Sequence, residues 1–223
     1  MLNTSLLLIH HMNQAELAPL DDWLQTLPCD KRDSVLTLKD PALRYRRSIG
    51  LRLLQLGMQS IHHQHFDFKD LVYPNDYAKP YLINQFNAWQ FNLSHSKDII
   101  SCAISQQSIG LDIEYIRQRN YQQFSTYLAD SIPDFDKLNL QEFYQHWTAL
   151  EAVIKAAGTV GLSNLRKVRL SNNLSAEKSA LLHKKKWHLH YFSPDENYAG
   201  CLASENISEV TIKYINAIWN TSL

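Results

Sequence analysis

Phe143, Trp147, Leu150, Ile154 and Ala157 recur at alternating spacings of four and three, which is the signature of one apolar helix face. A helix over Phe143–Gly158 must bury that stripe, so the fold has to offer it a partner surface. Glu151 and Lys155 stand four apart, one turn above each other beside the stripe. Gly158 follows the last apolar position and suits the residue after a helix C-cap. Alone, the pair reads as a surface ion pair worth only a few tenths of a kcal/mol.

The rest of the chain supplies a partner surface of strands. With 223 residues, 45% of them hydrophobic, it can bury a substantial core as one domain or two small halves. Leu6–Ile9 reads as a first strand ending at His10–His11, since no basic segment precedes it as in a secretory leader. A short helical stretch around Asp21–Trp23 stops at Pro28, and a long one runs from Pro41 to about Ile61. From Asp70 the pattern becomes β-like, in short runs at 71–73, 79–83, 89–93, 99–105 and 109–115. Helical patterns return at 121–128 and 138–157, followed by strand-like runs at 168–170, 187–192, 199–203 and 210–215. This order predicts an α+β fold of two halves that pack directly, with a junction near Gln106–Ser108 and no flexible linker between them.

Charge and cysteine usage narrow the function classes. Lys plus Arg and Asp plus Glu each total 22, which argues against binding nucleic acid or an anionic membrane surface by general charge. No segment approaches the ~18 consecutive apolar residues of a membrane helix. Cys29, Cys102 and Cys201 are far apart, with no CxxC pair, as in a reduced, cytoplasmic protein. Arg44, Arg46, Arg47 and Arg52 give the long helix a basic side that is either its solvated face or, with Lys31 and Arg32, an anion site. His62, His63 and His65 lack the i,i+4 spacing of a helical zinc pair, and His188 and His190 alternate on an expected strand.

Three stretches carry the chemistry. In Ile109-Gly110-Leu111-Asp112-Ile113-Glu114, strand alternation sends Asp112 and Glu114 to one face and Leu111 and Ile113 to the other. Two carboxylates on one face suit a shared cation, and magnesium takes one or two carboxylates together with phosphate oxygens. A solvated strand end is the competing explanation, while Glu151 offers a third carboxylate if its helix packs on this strand. In Phe91-Asn92-Leu93-Ser94-His95-Ser96 the serine and histidine lack a G-x-S-x-G elbow, so they suit phosphate contacts better than hydrolysis. Tyr77-Ala78-Lys79-Pro80 is a stiff turn presenting a lysine. Six glycines and no glycine-rich phosphate loop leave phosphate binding to side chains and metal.

Taken in order, Asp30-Lys31-Arg32, Arg46 to Gly50, Tyr77 to Pro80, Phe91 to Ser96, Ile109 to Glu114 and Trp147-Thr148-x-x-Glu151-Ala152-x-x-Lys155 resemble the 4'-phosphopantetheinyl transferases, in particular their long, monomeric type. The resemblance runs over roughly residues 28–162, with a weaker echo at 197–203. It implies two pseudo-symmetric halves, 1–107 and 108–223, each a small antiparallel sheet packed with a long helix, and an active site in the cleft between them. It implies coenzyme A as co-substrate, Mg2+ on Asp112, Glu114 and Glu151, and Glu151, Lys155 and Asp112 as the catalytic set. Lys31, Arg46, Arg47, Lys79, Ser94, His95 and Lys155 would hold coenzyme A. The acceptor would be a serine of an acyl or peptidyl carrier protein, with no nucleic acid or membrane partner.

Two positions depart from the family pattern. Ala78 stands where the family has glycine, and Leu150 stands where it commonly has lysine just before the helix glutamate. Leu150 falls in the apolar stripe, so a lysine there is expected to run its stem along apolar surface, at about 1.5–3 kcal/mol if the site has repacked around leucine. The missing cation keeps a second reading open, a weakened homologue that binds coenzyme A or a carrier protein without efficient transfer. A third is an unrelated α+β interaction module whose acidic pairs are solvated faces.

Overall fold

A computed structural model describes residues 4–12, 18–63, 66–74, 78–159, 161–171 and 178–219. Strand β1 (Thr4–His11) leads into helices α1 (Ala18–Gln25), α2 (Cys29–Leu36) and the long α3 (Pro41–His62). The short β2 (Leu71–Val72) and β3 (Tyr81–Leu82) pair with each other, and β4 (Gln90–Ser96), β5 (Ile99–Ser105) and β6 (Ile109–Tyr115) follow. Then come α4 (Ser125–Leu128), α5 (Leu140–Ala156), α6 (Leu162–Leu165) and strands β7 (Arg169–Leu170), β8 (Ser179–Leu182), β9 (Lys185–Phe192), β10 (Tyr198–Ser204) and β11 (Glu209–Tyr214).

The two long helices start and stop where their sequences dictate. Asp40 accepts the Ala42 N–H ahead of Pro41, which opens α3. Asn139 and Glu142 form a reciprocal capping box at the start of α5, each side chain bonding the other's backbone N–H. At the far end, Gly158 adopts φ +70° and its N–H bonds the Lys155 carbonyl, while the Thr159 N–H bonds that of Ile154. That is the paired closure expected of a left-handed residue after the C-cap.

Two main sheets carry the fold. The first has the order β11-β1-β5-β4 and the second β6-β10-β9-β8-β7. All neighbours are antiparallel except β1 and β11, which run parallel from Thr4 beside Glu209 to Ile9 beside Tyr214. The expected boundary at 107/108 lies between β5 and β6, and β11 crosses it to complete the first sheet.

Alternation along the strands builds four layers. Leu6 and Leu8 face α3, whereas Leu7 and Ile9 share a core with Leu111, Ile113, Tyr198 and Leu202 of the second sheet. On the opposite face of that sheet, Ala199, Cys201 and Ala203 pack with Leu150, Val153 and Ile154 of α5. The layers therefore run α3, first sheet, second sheet, α5, and the inner strands are apolar on both sides. Among the described residues, no helix is long and apolar enough to cross a membrane.

The contact that matters for the site is α5 on β6. A Cβ on Gly110 would lie 2.0 Å from the Ala152 carbonyl oxygen and 2.3 Å from the Ala156 nitrogen. Glycine on the strand and alanines on the helix let the two backbones touch, bringing Glu151 and Lys155 over Asp112 and Glu114. Because the obstacles are backbone atoms, no rotamer change relieves them, and Gly110→Ala must displace α5. We expect a loss of about 3 kcal/mol, the upper end for overpacking, or a fall in Tm of roughly 6–12 °C, read by thermal denaturation. A midpoint unchanged from the parent would show that α5 is free to move away from β6.

Candidate functional site

The site lies where the edge of β6 meets α5 and β4. Asp112 is 5% exposed, and its Oδ1 accepts from Lys155 Nζ at 2.6 Å and from Ser94 Oγ at 3.2 Å. Its second oxygen, Oδ2, is buried without a hydrogen-bond partner. Burial pushes the Asp112 carboxyl up, against the pull of the Lys155 ammonium and the Ser94 hydroxyl. Glu114 and Glu151, both half-buried, are likewise raised by burial, and each is raised further by the Asp112 charge. Three mutually repelling carboxylates and one lysine therefore occupy one corner of the molecule.

The donor set fits a small, hard divalent cation. A buried carboxylate oxygen with no partner costs free energy unless something positive meets it. Among the described residues, no group of three His, Cys, Asp or Glu side chains converges on a ready-made metal cage. Magnesium does not require one, because it keeps several waters and completes its shell with substrate phosphates.

A cationic groove adjoins this corner. Arg46, Arg47, Tyr73, Ser94 and His95 line a cavity of about 330 Å3. A second cavity, of about 650 Å3, shares Arg47 and Tyr73 with it and adds Asp30, Lys31 and Lys69. The Tyr73 ring organises the cations, with Lys31 Nζ 5.1 Å and the Arg47 guanidinium 5.0 Å from its centre. Lys31 is also paired with Asp30 at 2.8 Å. Arg46 is anchored by its Nε on the Lys97 carbonyl at 3.1 Å. His95 reaches solvent, and its imidazole is held below the usual histidine value by desolvation first, then by the Arg46 and Lys155 charges.

The residues expected from sequence divide accordingly. Asp112, Glu114, Glu151 and Lys155 come together at one corner, and Lys31, Arg46, Arg47, Ser94 and His95 line or border the groove beside it. Lys79 does not line either cavity. Its ammonium donates to the Ile109 carbonyl at 2.6 Å, holding the start of β6, and burial lowers its pKa to about 8. The Ser94 hydroxyl is committed to Asp112 and to the Ile113 N–H, so it serves the carboxylate as well as bordering the groove. The helical arginines have different tasks. Arg44 bonds the Leu36 and Leu38 carbonyls, and Arg52 bonds Gln55 and the Ile218 carbonyl. Gln64, His65 and Tyr77 lie outside the described residues.

Sequence reasoning missed Tyr73 and the serine at position 96. Tyr73 gave no signal beyond being aromatic in a short β-like run. Ser96 did, since Asn92, Ser94 and Ser96 alternate with period two on one strand face. Leu150 needs a correction. It is 0% exposed within the core beneath α5, so the expected surface for a lysine stem does not exist.

Carboxylates and a lysine beside an arginine-lined groove have the charges that suit phosphate-bearing ligands. The sequence profile of the 4'-phosphopantetheinyl transferase superfamily matches residues 108–203, the segment from β6 to β10 that carries Asp112, Glu114, Glu151 and Lys155. The chain is 31% identical over 138 residues to the 4'-phosphopantetheinyl transferase HetI of Nostoc sp., covering 56% of each protein. It is 28% identical over 128 residues to the 4'-phosphopantetheinyl transferase AcpT of Escherichia coli, 53% of this chain and 65% of that one. With the 4'-phosphopantetheinyl transferase gsp of Aneurinibacillus migulanus the identity is 29% over 89 residues, 38% of this chain and 36% of the relative. The chain thus spans 36% to 65% of the length of these three relatives.

Proposed function

We propose that this chain transfers the 4'-phosphopantetheine moiety of coenzyme A to a serine of an acyl or peptidyl carrier protein, releasing 3',5'-ADP. The single observation carrying this reading is the Asp112–Lys155 pair, flanked by Glu114 and Glu151 and opening beside the groove of Lys31, Arg46, Arg47 and His95. The groove cations would hold the 3'-phosphate end of coenzyme A. A magnesium ion held by Asp112, Glu114 and Glu151 would supply positive charge to the pyrophosphate.

Glu151 takes the proton of the acceptor serine, directly or through water, as the serine oxygen bonds the phosphorus bearing pantetheine. The bond from that phosphorus to the 3',5'-ADP oxygen breaks, and Lys155 neutralises charge on the phosphoryl oxygens. The reading further takes the protein to be a cytoplasmic monomer of the long type, without nucleic-acid or membrane partners.

Incubation with coenzyme A, Mg2+ and a panel of apo carrier proteins, followed by mass spectrometry, tests it. The expected result is a gain of one phosphopantetheine on at least one carrier. No gain on any carrier, while a known transferase modifies the same panel, overturns it in favour of a protein that only binds.

A further inference from the structure

β6 is paired with β10 on one edge only, and its other edge meets β4 of the neighbouring sheet without backbone pairing. Side chains take the place of the missing strand. Asn92 Oδ1 accepts the Leu111 N–H at 2.8 Å, Ser94 Oγ that of Ile113 at 3.2 Å, and Ser96 Oγ that of Tyr115 at 2.9 Å. These are alternate positions of β4 reading alternate positions of β6. Each serine then donates its own hydroxyl hydrogen bond, Ser94 to Asp112 Oδ1 at 3.2 Å and Ser96 to Glu114 Oε2 at 3.0 Å.

A hydroxyl has one proton, and its rotor turns freely unless a partner fixes it. Here the incoming backbone N–H occupies a lone pair, so the proton is left to point at the carboxylate. Bonding one carboxylate oxygen in this way restricts rotation of the group and biases the direction of the other oxygen. Asp112 has Lys155 as a second anchor, whereas Glu114 has the Ser96 hydroxyl. The same hydroxyl ties Glu114 to the backbone of its own strand through Tyr115.

We propose that Ser96 is a positioning residue, which orients the Glu114 carboxylate toward a divalent cation shared with Asp112. The inference rests on the reading above for its metal, and its test does not require transfer activity. Partners that orient metal ligands from behind contribute roughly 10–100-fold in metal affinity.

The test compares Ser96→Ala, Ser96→Thr and Ser96→Val, the last two matched in volume and differing by the hydroxyl. Mn2+ binding to the free protein is measured by equilibrium dialysis, and the Mg2+ needed for half-maximal transfer by activity. Ser96→Ala and Ser96→Val should weaken Mn2+ roughly ten-fold, the low end of that range, and raise the Mg2+ requirement in parallel. The KM for coenzyme A should not move, and Ser96→Thr should behave as the parent. Parental Mn2+ binding in Ser96→Val, equal losses in Ser96→Thr and Ser96→Val, or no Mn2+ binding by the parent would each overturn the proposal. A parent that binds Mn2+ but transfers nothing to any carrier would sink the transferase reading alone, and the Mn2+ comparison would still decide the role of Ser96.

Discussion

Replacing Glu151 with glutamine should lower phosphopantetheine transfer by roughly 10²–10⁴-fold, the usual contribution of a positioned general base, while leaving the fold at least as stable. Glutamine keeps the size of the side chain and removes only the charge and the ability to take a proton. The stability half of the expectation follows from linkage. Burial first, and then the Asp112 and Glu114 charges, raise the Glu151 carboxyl above its ordinary value of 4.5. The folded state therefore favours the protonated form, and the stability this group contributes is present below 4.5 and lost as pH rises through its raised folded value. At neutral pH the ionised carboxylate is a net cost to the apo fold, which glutamine removes. Tm at pH 7 should equal or exceed that of the parent, and the difference should shrink on acidification. Transfer within a few-fold of the parent would take Glu151 out of the chemistry, and a marked fall in Tm would mean its charge is compensated in the fold.

Leu150→Lys, which restores the residue common in the family, should be strongly destabilising. Leu150 is 0% exposed, packed within the same core as Val153 and Ile154. A lysine there loses the buried leucine contacts and starts its ammonium-bearing stem inside the core. The cost should be on the order of 4 kcal/mol, within the scale for deleting a buried leucine and for an uncompensated buried charge. That corresponds to a fall in Tm of roughly 8–16 °C for a chain of this size. Leu150→Met conserves volume and should cost less than about 1.5 kcal/mol. A Leu150→Lys protein with parental Tm and raised kcat would show that this turn of α5 can rotate its side chain into the cleft. Leucine fills the core beneath α5, and Lys155 is the lysine that α5 brings to Asp112.

Local periodicity carried most of the fold. The stripe on α5, Pro41 opening α3, Gly158 closing α5, and the alternation in β6 are all properties of neighbours in sequence, and each is realised in the structure. The meeting of Asp112 with Lys155 was accessible because both positions had a predicted face, lacking only the Gly110 contact that brings their backbones together. What stayed hidden depends on partners distant in sequence. A stripe position says that a side chain is apolar, but whether a lysine could escape from it depends on what lies above, and for Leu150 nothing is open. Lys79 was assigned to coenzyme A by the resemblance alone, and the turn that presents it gave no sign that its ammonium meets the carbonyl of Ile109. The period-two run Asn92, Ser94, Ser96 was visible as a pattern, but its meaning required the bare edge of β6 alongside it.

The parallel pairing of β1 with β11 has a consequence for how the protein is made. During synthesis β1 emerges ahead of β5 and can pair with it as soon as that strand follows, but its other edge has to wait for residues 209–214, after the whole second sheet. Until then a strand carrying Leu6, Leu7, Leu8 and Ile9 keeps one row of backbone groups uncovered, a template for pairing with another chain. Closing so distant a contact is entropically slow. The nascent protein thus passes through an interval in which its acidic corner can already assemble while its first sheet still has an open seam, which β11 seals.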